Sequence, residues 1–369
     1  MAGPADVLTR VLTADTVPPD WFTEEFRAEV PIAEVQRLRD AIIADHGTLE
    51  AVTVDGTRGT VRLSRALFPV SIVLDGEGRI AGLQLGPPEP LGSDPDALAA
   101  RLLAATPGAA SLYVAVGDDV VVAKDADRPM AVASAFKLVV LSAYEAAIAD
   151  GRLTRENVVR LTKGDRSLPS GVLQTLPPQT PVTLETLATL MIHISDNTAT
   201  DALMRVVGRD AVLAVPHAPR PLLSTAEYFK LRANADTRAA FDAADEAGRA
   251  DILAALTAED LPTPTALPTV ATPFDGAWAM STRALCETLL SLHGAPALDG
   301  PYADRLVGTD WRWTGYKGGS DVGTLNLTAA GERLDGTRVC ASFTVNAETG
   351  LDGGRLSLLF GALFGSLRE

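Results

Sequence analysis

The sequence contains little of what builds metal sites and disulfide frameworks. Its 369 residues include only two cysteines and four histidines. Cys286 and Cys340 are far apart and lack the spacing of metal ligands, and no two histidines form a ligand motif. We therefore expect no metal ion, no other cofactor and no disulfide scaffold. The two cysteines are predicted to be small buried apolar residues.

Positive charge and long apolar runs are also scarce. The chain has 32 Lys and Arg against 47 Asp and Glu, a net charge of -15, which repels phosphate backbones and anionic lipid surfaces. No segment is long enough to span a bilayer, and the N-terminus lacks the pattern of a signal peptide. We expect no nucleic-acid or membrane partner, and a cytoplasmic protein as the chain stands or an exported one if a signal was removed. The oligomeric state stays open.

Proline and glycine concentrate in Gly86-Pro-Pro-Glu-Pro-Leu-Gly92, a segment that can continue neither a helix nor a central strand. A chain of this length exceeds the size at which one hydrophobic core usually stops growing. We therefore predict two domains, residues 1–86 and 93–369, joined by a linker over residues 87–92. In the first domain, helical spacing over residues 21–45 precedes four strand-like runs between residues 49 and 85, which is typical of a small α+β domain.

The second domain is predicted to begin with a helix capped by Ser93 and a hairpin over residues 112–123. A helical middle part spans residues 134–289 and includes an apparent insertion over residues 232–274. Three strand-like runs and a last helix follow, at residues 311–316, 324–329, 339–345 and 356–367. Sequence-distant strands that pair around a helical part form one antiparallel sheet beside a helical subdomain, and the cleft between them is a natural ligand site.

The first chemical motif is Ser134-x-x-Lys137, at the start of an apolar run that ends at Gly151. The run predicts a buried helix with Ser134 at its N-terminus and Lys137 on the same face. Burial lowers the pKa of a lysine toward that of a useful base, and the helix N-terminus favours developing negative charge. A helix cap followed by a surface lysine is the alternative interpretation.

The second motif is Ser195-Asp196-Asn197, after a segment with helical spacing. In a serine–lysine site a second hydroxyl can relay a proton to the leaving group, and an asparagine amide can bind the substrate. The same three residues also favour helix caps and turns. The motif alone leaves both interpretations open.

The third motif is Lys317-Gly318-Gly319-Ser320 on a strand-like stretch. The lysine can supply positive charge to a substrate carboxylate, and the glycines let a ligand approach the backbone. A backbone N–H near Ser320 can pair with that of Ser134 as an oxyanion hole. An ordinary hairpin is the alternative.

The three motifs occur in the order Ser-x-x-Lys, Ser-Asp-Asn and Lys-x-Gly, with the first on a helix and the last on a strand. In this the chain resembles the serine β-lactamase and penicillin-binding superfamily, class A most closely, across residues 93–369. The resemblance implies a β-lactamase/transpeptidase-like fold. It also implies catalytic roles for Ser134 as nucleophile, Lys137 as general base and Ser195 as proton shuttle, and substrate-binding roles for Asn197, Lys317, Gly319 and the N–H of Ser320.

Two departures from the family pattern bear on activity. The family usually has Thr or Ser directly after the third-motif lysine, where this chain has Gly318, and Ser320 replaces that hydroxyl only in part. The Glu-x-x-Leu-Asn segment, whose glutamate activates the deacylating water in class A enzymes, is missing. Glu227 is the nearest glutamate in that region, but its capping-box pattern with Ser224 predicts a structural role.

The first 86 residues resemble the steroid-isomerase or NTF2-like domain that precedes a β-lactamase-like domain in some actinobacterial proteins, including a kind encoded in clavulanic acid biosynthesis clusters. Steroid isomerases use a tyrosine and a protonated aspartic acid as an oxyanion hole. The first tyrosine of this chain is Tyr113, beyond the linker. We therefore expect binding, docking or a lid role from this domain, and no isomerase activity.

Two classes of function stay open. The first is a serine hydrolase acylated at Ser134, esterase-like with weak or absent β-lactamase activity, acting on a small-molecule ester or β-lactam-like substrate in β-lactam or secondary metabolism. A class A β-lactamase or a D,D-peptidase is a variant of this hypothesis. The second is a non-catalytic or single-turnover binding protein or sensor for β-lactam-like ligands. Retention of both Ser134 and Lys137 favours the enzyme, whereas the missing glutamate favours the sensor.

Overall fold

A computed structural model of the chain describes residues 3–86, 88–92, 94–270, 277–300, 311–348 and 350–368. The chain divides into two compact units. Unit 1 contains Met1–Ala105 and Asp352–Glu369, and unit 2 contains Thr106–Asp304 and Asp310–Leu351. Two helices predicted for the second domain, near residues 95–104 and 353–365, therefore group with the N-terminal residues. The domain boundaries at residues 86 and 93 stay a prediction.

Unit 1 contains an antiparallel sheet in the order β1-β2-β3-β4, with a short strand, β5, beside β3. The strands are β1 Leu49–Asp55, β2 Arg58–Leu63, β3 Ala66–Leu74, β4 Ile80–Leu85 and β5 Glu89–Pro90. The helices are α1 Pro4–Thr13, α2 Glu24–Glu29, α3 Ile32–His46, α4 Pro95–Ala104 and the C-terminal helix Gly353–Gly365. Each of the four strand-like runs predicted between residues 49 and 85 falls within one of the strands β1 to β4.

The helical parts of unit 1 differ from the prediction in three details. The single helix expected over residues 21–45 is interrupted at Pro31, which is the N-cap of α3, because a proline disfavours the helical conformation of the residue before it. The helix α1 has no counterpart in the prediction, although one face of it is buried in the core of this unit through Val7, Leu8, Val11 and Leu12. Ser93, the predicted cap of α4, lies outside the described residues, and the carboxylate of Asp94 caps that helix.

Unit 2 is built around a five-stranded antiparallel sheet. Unit 2 also contains two short two-stranded sheets. The strands of unit 2 are β6 Ala109–Val116, β7 Asp119–Lys124, β8 Met130–Ala131, β9 Val158–Arg160, β10 Pro181–Thr183, β11 Ala279–Met280, β12 Trp313–Asp321, β13 Thr324–Glu332 and β14 Arg338–Asn346. The large sheet has the order β12-β13-β14-β6-β7. The pairing of β14 with β6 joins strands from the two ends of the unit around a helical middle part, as the sequence pattern predicted.

The helical middle part places one apolar helix at the centre of unit 2. Its helices are α5 Lys137–Ala149, α6 Leu184–His193, α7 Asn197–Val207, α8 Arg209–Leu213, α9 Thr225–Ala233, α10 Ala235–Ala243, α11 Glu246–Leu256 and α12 Thr282–Ser291. The residues of α5 from Leu138 to Leu141 are fully buried. The helices α10 and α11 lie in the predicted insertion, whose residues 271–274 lie outside the described ones. Within the described ranges, no helix combines the length and apolar character that crossing a membrane requires.

The two cysteines correct one prediction. Cys286 on α12 and Cys340 on β14 are both fully buried, as expected, but they form a disulfide with their Cα atoms 5.8 Å apart. The interpretation of these residues as unpaired apolar side chains is therefore wrong. Their separation of 54 residues gave no sign of a bond, because the pairing depends on how α12 packs against the sheet.

Candidate active site

Ser134 lies in a short 3-10 helix, Ala133–Phe136, that leads directly into α5. Ser134 is half-buried, whereas the three residues after it are buried. The preceding Ala133 has a φ of +45°, a left-handed conformation that costs a non-glycine residue on the order of 1–3 kcal/mol and that clusters at functional sites. The hydroxyl of Ser134 thus combines partial exposure with the positive end of the α5 dipole.

Lys137 is the first residue of α5 and has no exposed surface. Its amine donates hydrogen bonds to the Ser195 carbonyl oxygen at 2.6 Å, to Ser195 Oγ at 3.1 Å and to Asn197 Oδ1 at 2.7 Å. The alternative of a surface lysine is therefore wrong. These bonds connect the first motif to the second.

The hydroxyl of Ser195 lies between two lysine amines. It accepts hydrogen bonds from Lys137 Nζ at 3.1 Å and from Lys317 Nζ at 3.0 Å. Lys317 Nζ also donates to the carbonyl oxygen of Gly318 at 2.6 Å. Ser195 itself has a φ of +56°, which interrupts the helical path between α6 and α7. All three sequence motifs therefore meet around one hydroxyl.

Burial lowers the pKa of both lysine amines. It lowers the pKa of Lys137 well below its ordinary value, and the charge of Lys317 lowers it further, while Asp201 and Asp196 act in the opposite direction. Burial also lowers the pKa of Lys317 to about 7. Two amines that share the Ser195 hydroxyl repel each other when both are charged. The lowered pKa makes the neutral form of Lys137, which a general base requires, more accessible than that of an exposed lysine.

The backbone of β12 closely approaches the start of the Ser134 helix at Gly319. A Cβ atom at this position would lie 2.2 Å from the Val132 carbonyl oxygen and 2.6 Å from the Ser134 nitrogen. Only glycine therefore fits. Lys317 lies two residues earlier on the same face of the strand, so the close approach also brings its amine to Ser195.

Replacement of Gly319 by alanine is expected to displace β12 from the backbone of Ser134, because the added Cβ meets backbone atoms. We expect the rate of acylation by p-nitrophenyl acetate to fall at least about 100-fold, the scale of loss for a misplacement of about 1 Å in an active site. Gly350→Ala is the matched control, since nothing lies within 4 Å of a Cβ there. Equal acylation rates in the two variants would contradict this role of Gly319.

The side chain of Ser320 lies on the other face of β12 from Lys317, because side chains alternate along a strand. Ser320 is exposed. It shares its face with Gly318, the position at which a hydroxyl is missing, but it is displaced by about 7 Å along the strand. The geometry thus allows only a partial replacement. The role of the Ser320 N–H as an oxyanion donor stays a prediction.

Asp196 connects the second motif to a neighbouring loop. Its buried carboxylate accepts hydrogen bonds from the backbone N–H groups of Val172 at 2.7 Å, Leu173 at 2.9 Å and Ala199 at 2.8 Å. The bond from Ala199 makes Asp196 the N-cap of α7, as the structural interpretation predicted. The Asn197 side chain donates to the carbonyl oxygen of Leu168 in the same loop at 2.9 Å. The motif therefore combines a helix cap with the lysine contacts.

Asp201 on α7 is a buried carboxylate that sequence reasoning missed. It accepts hydrogen bonds from the N–H groups of Thr225 at 2.7 Å and Ala226 at 2.9 Å, at the N-terminus of α9. Burial raises its pKa to about 7. Because its charge raises the pKa of Lys137, its protonation bears on the proposed base. Its partners lie more than twenty residues away, so no local motif marks it.

Glu227 has structural partners. Its carboxylate accepts a hydrogen bond from Ser224 N at 2.7 Å, which completes the capping box, and it pairs with Arg209 at 2.8 Å. The segment before it, residues 214–224, contains no acidic residue. This geometry supports the predicted structural role of Glu227. Because Ser224 and Arg209 hold its carboxylate, Glu227 is not positioned as the base for a deacylating water.

The pKa of Lys317 leads to a pH prediction. Its amine is charged below about pH 7 and neutral above it, so attraction for a substrate carboxylate is lost as the pH rises through 7. Acylation by nitrocefin, which carries a carboxylate, is expected to fall relative to acylation by neutral p-nitrophenyl acetate by about tenfold between pH 6 and pH 8. Stopped-flow rates with both compounds measure the ratio. Lys317→Met should give a constant ratio, and a constant ratio in the unchanged protein would contradict the role of Lys317.

The ionisable side chains of the part of the chain that the structure describes include no group of three or more His, Cys, Asp or Glu that could hold a metal ion. The groups gathered around Ser195 are two amines, an amide and hydroxyls. Amines in this arrangement suit proton transfer and anion binding.

Residues 96–259 match the model of the β-lactamase enzyme family, Beta-lactamase2. This part of the chain is therefore similar to the β-lactamase enzyme family. The matched residues include the first two motifs, at Ser134 and at Ser195, while Lys317 lies beyond them. No curated protein matches the chain. The resemblance of residues 1–86 to NTF2-like domains stays a prediction.

Solved structures of β-lactamases and of PBP-A are similar to 73–74% of the chain. The β-lactamase of Sphaerobacter thermophilus DSM 20745 is 23% identical over 74% of this chain and 95% of its own, with a TM-score of 0.49. An ancestral class A β-lactamase is 18% identical over 74% and 98%, with a TM-score of 0.49. A variant of PBP-A in an acyl-enzyme complex with penicillin G is 18% identical over 73% and 94%, with a TM-score of 0.45.

Proposed function

We propose that the chain is a serine hydrolase that forms an acyl-enzyme at Ser134 and prefers activated esters to β-lactams. The observation that carries this proposal is the hydroxyl of Ser195 between the amines of Lys137 and Lys317. A buried amine of lowered pKa one helical turn from a half-buried serine supplies both nucleophile and base. A purely structural role for Lys137 would not explain why a second buried lysine, Lys317, donates to the same Ser195 hydroxyl.

The proposed reaction has two steps. In the first, Ser134 Oγ bonds to the carbonyl carbon of the ester while its proton passes to Lys137 Nζ, and the oxyanion accepts hydrogen bonds from the N–H groups of Ser134 and Ser320. The bond to the leaving oxygen then breaks, and the proton passes from Lys137 through Ser195 Oγ to that oxygen. In the second, water attacks the acyl carbon, which releases the carboxylic acid and restores the Ser134 hydroxyl.

The second step is proposed to be slow. The segment over residues 214–224 contains no acidic residue, and Glu227 is held by Ser224 and Arg209. A water molecule at the acyl carbon therefore lacks the carboxylate base that class A enzymes use. Acylation faster than deacylation leads to accumulation of the acyl-enzyme.

Burst kinetics test this proposal. We expect p-nitrophenyl acetate to release about one p-nitrophenolate per chain in a fast phase, followed by slow turnover, because the acyl-enzyme accumulates. Nitrocefin is expected to acylate more slowly, since the hydroxyl after Lys317 is missing. Absence of a burst, together with turnover no faster than that of heat-denatured protein, would contradict the proposal.

The second candidate is a single-turnover sensor for β-lactam-like ligands. The same lack of an acidic residue in 214–224 favours it. The steady-state phase separates the two functions: many products per chain indicate an enzyme, whereas one stable adduct per chain indicates a sensor. Rapid turnover of nitrocefin would instead indicate a class A β-lactamase.

We also propose that the protein works in an oxidising compartment. The support is the buried disulfide between Cys286 and Cys340, since disulfides persist mainly in exported proteins and are rare in the cytosol. This favours the exported alternative of the two stated from the sequence.

A further inference from the structure

A cavity of about 420 Å³ lies beside the candidate nucleophile in unit 2. Ala133 lines it, one residue before Ser134, and Asp321 lines it, one residue after Ser320. The cavity therefore adjoins both of the backbone positions proposed to bind the oxyanion. Its volume is within the range of small-molecule sites and far exceeds that of an acetyl group.

Two aromatic side chains give the cavity an apolar wall. Tyr228 and Trp278 both line it, and their rings stack with centroids 4.4 Å apart. Trp278 also stacks on Phe136, with centroids 4.1 Å apart, and is 4% exposed. These contacts hold the wall rigid without help from a ligand. Small side chains also line the cavity, those of Ala109, Ala131 and Ala347.

The charges of the cavity balance. Arg232 forms an ion pair with Asp321, and the hydroxyl of Tyr228 also donates to Asp321. The remaining charged lining residues are Arg128 and Glu348, which are both exposed. A ligand therefore meets one buried ion pair and no unpaired buried charge from these residues. A charged group that enters the cavity beside Arg232 and Asp321 would lose its hydration without gaining a counter-ion from that pair.

The position of the cavity fits one part of an acylating substrate. When the carbonyl oxygen lies between the N–H groups of Ser134 and Ser320, the other two substituents of the carbonyl carbon extend to either side. The leaving group must lie toward Ser195, which delivers its proton. The remaining substituent is the acyl side chain.

We propose that this cavity binds the acyl side chain of the substrate and that it selects bulky, uncharged, aromatic acyl groups. The proposal rests on the proposed function, because it assigns the substrate class to an acyl-enzyme at Ser134. Aromatic rings stack favourably on such a wall. The paired charges of Arg232 and Asp321 disfavour an acyl group with its own carboxylate.

The first test compares acyl groups that share one leaving group. We expect kcat/KM for p-nitrophenyl phenylacetate to exceed that for p-nitrophenyl acetate by at least about tenfold, the scale of a few buried methylene groups, after correction for their hydroxide rates. Ala109→Leu, at the start of β6, and Ala347→Leu, directly after β14, narrow the cavity and are each expected to reduce this ratio at least threefold. Ala211→Leu, in a separate cavity of the same unit, is the matched control and should leave the ratio unchanged.

A change of charge provides the second test. Asp321→Asn leaves the Arg232 guanidinium without its counter-ion and is expected to raise kcat/KM for the mono-p-nitrophenyl ester of succinic acid relative to the acetate ester by at least about fivefold. Arg232→Gln should not produce this change, because it leaves no cation. An equal effect of both variants would indicate a merely structural role and would overturn the charge argument.

Binding without chemistry separates this inference from the proposed function. Phenylacetamide cannot acylate Ser134, and ligand-observed NMR is expected to detect its binding to Ser134→Ala and weaker binding to Ser134→Ala with Ala109→Leu. Binding without any acyl-enzyme in the unchanged protein would overturn the proposed function and retain the cavity as a ligand site. An acyl-enzyme with no phenylacetyl preference and no phenylacetamide binding would overturn this inference alone.

Discussion

Ser134→Ala is expected to form no covalent adduct with p-nitrophenyl acetate or with a β-lactam, and to lose ester turnover by at least about a thousandfold. The physical reason is that the variant lacks the proposed nucleophile, the hydroxyl one helical turn before the proposed base Lys137. Ser134 is half-buried and its hydroxyl is small, so the fold should persist with a Tm change within about 2 °C. Burst amplitude and thermal unfolding measure the two effects.

Ser142→Ala is the matched control for this variant. Ser142 lies on the same helix and is also half-buried, and its hydroxyl donates to the Leu138 carbonyl oxygen at 3.0 Å. Its removal should leave the burst unchanged. A full burst in Ser134→Ala would contradict the assignment of the nucleophile.

Lys137→Met is expected to slow acylation by roughly 10²- to 10⁴-fold, the usual contribution of a positioned general base. Methionine fills a similar volume without a charge, so the buried helix start remains packed. Two of the three acceptors that lose the amine retain other donors: the Ser195 carbonyl oxygen accepts from Ser170 Oγ at 2.7 Å, and Ser195 Oγ accepts from Lys317. Asn197 Oδ1 loses the bond from Lys137. The measurement is the fast-phase rate constant with p-nitrophenyl acetate.

Lys163→Met controls for the loss of a lysine, because the Lys163 side chain is 89% exposed and lies outside the cluster. It should leave the fast phase unchanged. If Lys137→Met retains an acylation rate within a few-fold of the unchanged protein, Lys137 is not the base, and its contacts with Ser195 and Asn197 are structural only.

Local patterns predicted much of the secondary structure. The alternating runs of unit 1 form β1 to β4, and the apolar run after Ser134 forms the buried helix α5. Both could be predicted because burial of one face, or of a whole helix, determines the apolar pattern of consecutive residues. The break at Pro31 was not predicted, although the proline itself indicates it. The helix α1 was missed although its buried residues Val7, Leu8, Val11 and Leu12 recur at helical spacing, so this helix could have been predicted from the sequence.

Contacts between distant residues could not be predicted in the same way. The motifs gave Lys137, Ser195 and Lys317 as candidates, but the hydrogen bonds that join them cross 58 and 122 residues. The disulfide of Cys286 and Cys340 and the ion pair of Arg232 with Asp321 likewise arise from packing of a helix near a strand. No spacing rule relates such pairs. The residues that line the cavity beside Ser134 therefore could not be predicted from the sequence.

The most direct test of the central claim is intact-protein mass spectrometry after mixing with p-nitrophenyl acetate, followed by peptide mapping. We predict a mass increase of one acetyl group per chain, located on the peptide that contains Ser134, which decays slowly as acetate is released. Product formation with no adduct, or an adduct located on another residue, would contradict the proposed acyl-enzyme at Ser134.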